Sequence, residues 1–156
     1  MTVESSGLLL YRRVDDRIDV LLGHMGGPYW AKKHEHAWSI PKGLHDDGET
    51  DHLAVAEREF AEEMGSEAPA GDSIELGSVR SGKKRITAFA REGDFDADAI
   101  VSNTFELEWP PRSGVMQAFP EIDRAAWIPL DEAETHLTKG PCPFVSRLRR
   151  ELALTG

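Results

Sequence analysis

The sequence predicts an α/β fold of the α+β kind, with helices packed on a mixed β-sheet. Three observations point there. Apolar runs of strand length alternate irregularly with segments of helical period, the order expected of a sandwich around a mixed sheet. One segment, Thr50 to Met64, has a strong helical period with a stop signal after it. And 156 residues at 40% hydrophobic composition suit one domain, residues 1–156, around one core.

The elements follow in order. Ser6 to Arg12 (SGLLLYR) and Ile18 to Leu22 (IDVLL) read as strands joined by the turn Asp15-Asp16-Arg17, a hairpin. Gly23 to Lys42 reads as a long loop with an extended piece at Trp38-Ser39-Ile40. In the helix Thr50 to Met64, Leu53, Ala56, Phe60 and Met64 recur at helical spacing, and Gly65 ends it. Ile74 to Arg80 and Arg85 to Arg91 are strands around the turn Ser81-Gly82-Lys83. Thr104 to Trp109 is a further strand stopped by Pro110-Pro111. Ala125 to Ile128 is a short strand, a helix begins near Glu132, and Pro143 to Leu154 forms a C-terminal amphipathic helix.

Composition removes several classes of function. A net charge of −10 opposes a nucleic-acid polymer, whose binding needs phosphates neutralised by Lys and Arg. It leaves small phosphorylated substrates open, because divalent cations supply positive charge locally. No apolar run reaches the length of a membrane span. The start Met-Thr-Val-Glu-Ser-Ser-Gly lacks the pattern of a signal peptide, so the expectation is a cytoplasmic protein. Cys142, the single cysteine, reads as a structural thiol. Nothing in the chain indicates an oligomeric state.

The chemistry concentrates in Glu59-Phe60-Ala61-Glu62-Glu63-Met64-Gly65. Positions i, i+3 and i+4 share a helix face, so Glu59, Glu62 and Glu63 converge. At about 100° per residue their face is centred roughly 100° from the apolar stripe. A solvated acidic face accounts for three glutamates by themselves. A site for a hard cation accounts for them too, because oxygen-only ligands suit magnesium or manganese. The neighbours favour the cation. Arg58 can hold a carboxylate through paired hydrogen bonds. Upstream, Gly43 permits close backbone approach, and Glu49 precedes the helix.

The run from Gly43 to Gly65 resembles the Nudix box, G-x5-E-x7-R-E-U-x-E-E-x-G-U, with U an aliphatic or bulky apolar residue. Gly43 and Glu49 have the required spacing, and Arg58, Glu59, Phe60, Glu62, Glu63 and Gly65 match in order. Two positions depart. Ser66 stands where an apolar residue is usual, and eight residues, Thr50 to Glu57, separate Glu49 from Arg58 instead of seven. Family members often carry an N-capping Thr seven residues before the Arg. Asp51 holds that position here and is a good cap. A helix starting at Asp51 keeps the glutamates in register and leaves Thr50 in the loop.

The resemblance implies an α-β-α sandwich with a mixed sheet over residues 5–154, and hydrolysis of a nucleoside diphosphate linked to another group. It implies magnesium or manganese held by Glu59, Glu62, Glu63 and the Gly43 carbonyl, with Arg58 and Glu49 supporting the ligands. Glu62, Glu63, Arg58 and Glu121 are the catalytic candidates. Glu121, shortly before a Trp-containing strand, resembles a downstream family carboxylate. It reads as a further ligand, a general base or an ordinary acidic turn, with Asp123 the weaker candidate. Lys42, adjacent to Gly43, leads the phosphate-contacting candidates over Lys32, Lys33, Lys83, Lys84 and Arg85. Trp30, Trp38 and Trp109 can stack on a base or simply pack. The segment from Ser102 to Gly114 resembles a stretch in a bacterial Nudix branch of predicted NTP pyrophosphohydrolases. It is expected to shape the substrate pocket through Trp109 and Arg112. A nucleoside triphosphate, an oxidised nucleotide or a dinucleoside polyphosphate would be the substrate. The competing readings are a non-catalytic Nudix-like module that binds or senses a nucleotide, and an acidic-faced structural domain without metal.

Overall fold

The computed structural model describes residues 2–153. The expected hairpin is present and longer than its apolar centre. Strands β1 (Val3–Val14) and β2 (Arg17–Met25) are antiparallel, with Asp15 at φ 52° in the turn. β2 takes in three residues that the sequence assigns to loop, because backbone pairing to β9 continues past the last apolar residue. β3 (Trp38–Ser39) and β4 (Lys42–Leu44) follow, and then α1 (His52–Met64). Next come β5 (Ser73–Ser81) and β6 (Lys84–Glu92), turning at Gly82 with φ 61°. β7 (Thr104–Glu108) and β8 (Met116–Pro120) form a separate two-stranded ribbon. β9 (Ile122–Pro129), α2 (Leu130–His136) and α3 (Pro143–Glu151) complete the chain. The expected end of the last helix at Leu154 lies outside the described residues.

β1 is the trunk of a seven-stranded mixed sheet. One edge runs parallel to β6 from Val3 to Tyr11. The other edge forks: Ser5 to Gly7 pair with β4, and Tyr11 to Val14 pair with β2. The fork holds β4, and with it Gly43, against the start of β1.

The apolar run of β1 explains the layers. Successive strand side chains point to opposite faces, so an unbroken run marks a strand covered on both sides. Leu8 and Leu10 pack with Leu21 under Ala56, Phe60 and Met64 of α1. Leu9 and Tyr11 pack on the opposite face with Leu130 and Ala133 of α2 and Phe144, Val145 and Leu148 of α3. The arrangement is the expected α-β-α sandwich. Within α1 the buried stripe differs at two positions. Val55 is buried, whereas Leu53 is part-exposed. No helix among the described residues is long and apolar enough to cross a membrane.

Candidate active site

The register of α1 decides whether its glutamates converge, and Asp51 sets that register. Its backbone is extended, and its carboxylate accepts a hydrogen bond from the Ala54 N–H at 3.1 Å. At the other end Gly65 adopts φ 85° and its N–H bonds to the Ala61 carbonyl. The helix begins after Asp51, so Thr50 belongs to the preceding loop as expected.

Glu49 is nevertheless in place. Its Oε2 accepts from Arg58 Nη1 at 2.6 Å, and its Oε1 accepts from the Asp46 N–H at 2.6 Å. These bonds hold its carboxyl below the usual carboxylate range, the Arg58 hydrogen bond most of all. Arg58 also donates to the Leu44 carbonyl at 3.2 Å and to Glu59 at 3.3 Å. It lies within ion-pair range of Asp46 at 3.5 Å and Glu62 at 3.9 Å. One guanidinium thus ties the loop, the helix and two candidate ligands together. Asp46 is a contributor that spacing alone did not single out.

Gly43 faces the Glu59 carboxylate so closely that a Cβ would overlap the carboxyl carbon and both oxygens. Backbone pairing with Ser6 holds that approach. Only glycine lets main chain come this near a carboxylate, which brings carbonyl and carboxylate oxygens to one locality.

The three glutamates sit in different environments. Glu62 is exposed, Glu59 is largely covered, and Glu63 is buried at 9% exposure. The sequence places Glu63 on an acidic face beside the core; tertiary packing closes over it. Its carboxyl is pushed up to about 8, first by burial and also by Glu59 and Glu121. Lys42 opposes this through its charge and through its backbone N–H. Glu59 is raised as well, by burial and then by Glu62. Burial lowers Lys42 below the usual lysine range despite Glu63, Glu121 and Glu59 nearby. The site is short of positive charge, which is what a divalent cation would supply.

Among the described residues, no three His, Cys, Asp or Glu side chains close around one point. Glu59 and Glu62 turn toward Arg58, and Glu63 turns toward the Lys42 backbone. The donor set still fits a hard cation: carboxylate oxygens, a glycine carbonyl free of side-chain obstruction, and ionisation held back by repulsion and burial.

Glu121 joins this group, since its charge is felt by both Glu63 and Lys42. It is delivered by an irregularity where β2 meets β9 beside His24 and Met25, a device that re-aims side chains. The Gly26 N–H bonds to the Glu121 carbonyl, and the Glu121 N–H bonds to the Asn103 carbonyl. Asp123 is otherwise engaged: its carboxylate lies 2.8 Å from Nδ1 of the fully buried His24.

Of the candidate lysines, Lys84 lies with Lys42. The two line a cleft of about 180 Å³ with Ser81, Ile86, Thr138 and Pro141. Lys33 lies over the Trp30 ring, and Arg85 pairs with Glu4 at 2.9 Å. Trp30 and Trp38 are packing residues against the core. Trp109 meets Tyr29 edge-on at 5.2 Å, and Arg112 is exposed in the ribbon turn at φ 64°. The ribbon reaches the site through its base: the Asn103 N–H bonds to the Glu62 carbonyl.

Comparison with known proteins places this geometry. The NUDIX domain model matches residues 2–148. No curated protein matches the chain. Among solved structures, the fold is similar to the NUDIX domain of Shewanella oneidensis NrtR complexed with ADP ribose, with a TM-score of 0.65 at 14% identity. That match covers 97% of this chain and 89% of that one. A C. elegans Ap4A hydrolase binary complex gives a TM-score of 0.61 at 20% identity, covering 97% and 98% of the two chains. A NUDIX hydrolase from Nitrosomonas europaea gives 0.60 at 18% identity, covering 98% and 90%. These likenesses concern the fold. Family membership rests on the domain model, which spans nearly the whole chain and includes the carboxylate helix: the chain belongs to the NUDIX family.

Proposed function

We propose that this protein hydrolyses a phosphoanhydride bond in a small nucleoside diphosphate-linked substrate: a nucleoside triphosphate, an oxidised nucleotide or a dinucleoside polyphosphate. The observation that carries the reading is the approach of the Gly43 backbone to the Glu59 carboxylate beside buried Glu63. Nothing in the packing of a structural domain requires a glycine pressed on a carboxylate, or a buried carboxyl beside two others.

Glu59, Glu62, Glu63 and the Gly43 carbonyl would hold magnesium or manganese. When bound, such ions neutralise the phosphates, activate water and stabilise the departing phosphate. The chain does the rest. Arg58, anchored by Glu49, orients Glu59 and Glu62. Glu121, whose charge bears on both Glu63 and Lys42, would accept a proton from attacking water. Lys42 and Lys84 face the phosphate chain, with Ser81 and Thr138 as hydroxyl partners in the same cleft. Trp109 and Arg112 on the ribbon bound the substrate's far end. The acidic charge and the absence of a spanning helix among the described residues accord with a cytoplasmic enzyme acting on nucleotides rather than on polymers.

The test is a panel of a nucleoside triphosphate, an 8-oxo-purine triphosphate, a dinucleoside tetraphosphate and ADP-ribose, each with magnesium or manganese. The products are identified by chromatography and mass, with Glu63→Gln alongside. Metal-dependent turnover of at least one compound, lost in Glu63→Gln, is expected. Tight nucleotide binding with no turnover by the wild type refutes the enzyme and leaves a binding module.

A further inference from the structure

A second polar cluster lies behind the carboxylates. Ser6 on β1 is fully buried and stands opposite Gly43 in the β1–β4 register. Its Oγ lies 2.7 Å from His45 Nε2 and 3.1 Å from His52 Nδ1. His45 belongs to the loop between Gly43 and Glu49, and its Nδ1 lies 3.2 Å from the Glu49 carbonyl. His52 is the first residue of α1, and the two imidazoles meet at 4.7 Å.

With both imidazoles neutral, one proton arrangement satisfies every group. A carbonyl only accepts, so His45 Nδ1–H donates to Glu49, and His45 Nε2 is left as an acceptor. Ser6 Oγ–H then donates to His45 Nε2, and His52 Nδ1–H donates to the Ser6 oxygen. The chain runs from the start of α1, through β1, to the main chain of Glu49. From there Glu49 reaches Arg58, and Arg58 reaches Glu59 and Glu62.

Two other roles fail on the same geometry. A nucleophilic serine needs access to substrate, and Ser6 has none. A metal shared by the two imidazoles would need the place that the Ser6 oxygen fills.

We propose that Ser6, His45 and His52 are positioning residues that brace the loop carrying Glu49, and so set Arg58 and the carboxylates it orients. The brace matters here because the loop holds one residue more than the family spacing, at Thr50. A longer loop closes with more freedom, and three side-chain hydrogen bonds remove that freedom at Glu49. The backbone adds further ties, from the His45 N–H to the Glu4 carbonyl at 3.0 Å and from the Glu49 N–H to the Asp46 carbonyl at 3.0 Å.

The inference rests on the hydrolase reading, so its test also reads metal binding without turnover. Manganese affinity of the full chain is measured by calorimetry for wild type, Ser6→Ala, His45→Ala and His45→Asn. In parallel, kcat and KM are measured on the best substrate. Asparagine keeps a donor near the Nδ1 position and so keeps the link to Glu49. Ser6→Ala and His45→Ala should weaken manganese binding and lower kcat by about 10-fold or more, with KM nearly unchanged. His45→Asn should recover much of the loss. In 15N-labelled wild type, neutral His45 should carry its proton on Nδ1. Unchanged manganese affinity and kcat in both alanine variants overturns the proposal. So does equal loss in His45→Ala and His45→Asn, or an Nε2 proton on neutral His45. Should Ser6→Ala fail to fold, the His45 pair decides. A wild type that binds manganese but turns over nothing refutes the hydrolase reading, while the manganese series still judges the brace.

Discussion

A methyl group added at position 43 is the smallest change that strikes the site and spares the fold. Non-bonded carbons need about 3.5 Å of separation, and the added Cβ of Gly43→Ala falls well inside that limit from the Glu59 carboxyl. Something must yield by roughly an ångström or more. The β4 backbone is held by pairing with β1, and α1 is held by fully buried Phe60 and Met64, so neither backs away easily. The Glu59 side chain therefore swings. A reacting arrangement displaced by about 1 Å loses about 100-fold in rate, and a disturbed ligand shell loses about 10–100-fold in metal affinity. Gly43 is not among the residues with left-handed φ, so alanine imposes no backbone strain, and thermal unfolding should shift little. Turnover is followed while magnesium is titrated, with circular dichroism to confirm folding. Activity within about threefold of wild type, at an unchanged magnesium requirement, would show that Glu59 has no role at the reacting centre.

Other outcomes follow from the same contacts. Glu63 has a carboxyl raised to about 8 against an ordinary value of 4.5, so its stabilising contribution is fully present below pH 4.5 and is lost as pH rises through 8. Metal-free wild type should lose thermal stability from pH 5 to pH 8 more steeply than Glu63→Gln; parallel profiles would contradict the burial argument. Arg58→Lys keeps the charge but cannot bond Glu49, the Leu44 carbonyl and Glu59 together, and kcat should fall about 10–100-fold. A loss below about threefold in steady-state assays would remove Arg58 from the machinery. Asp51→Ala removes the N-cap and should cost about 1 kcal/mol, a few degrees of melting temperature, with kcat largely kept. An unshifted melting curve would place the helix start elsewhere.

The relation between sequence and structure divides along the range of the interactions. Helix period, the capping power of Asp51 and the left-handed stop at Gly65 act within one or two turns. The chain therefore displays them directly: they set the register that brings Glu59, Glu62 and Glu63 to one side. The resemblance of the run from Gly43 to Gly65 to the Nudix box carried the reaction class, even with one residue more before Arg58. The α-β-α layering was legible in the unbroken Leu8-Leu9-Leu10 run, because only a strand covered on both faces buries every side chain. Other features depend on contacts between distant segments, which no local pattern records. Burial of Glu63 near Lys42, the pairing of Asp123 with buried His24, and the meeting of Lys42 with Lys84 are of that kind. So is the Ser6 hydroxyl that joins His45 to His52. The sequence by itself determined the carboxylates and their order along α1. Only the tertiary structure decided how strongly Glu59 and Glu63 resist ionisation, because that resistance comes from burial and from charges brought near by the fold of the sheet.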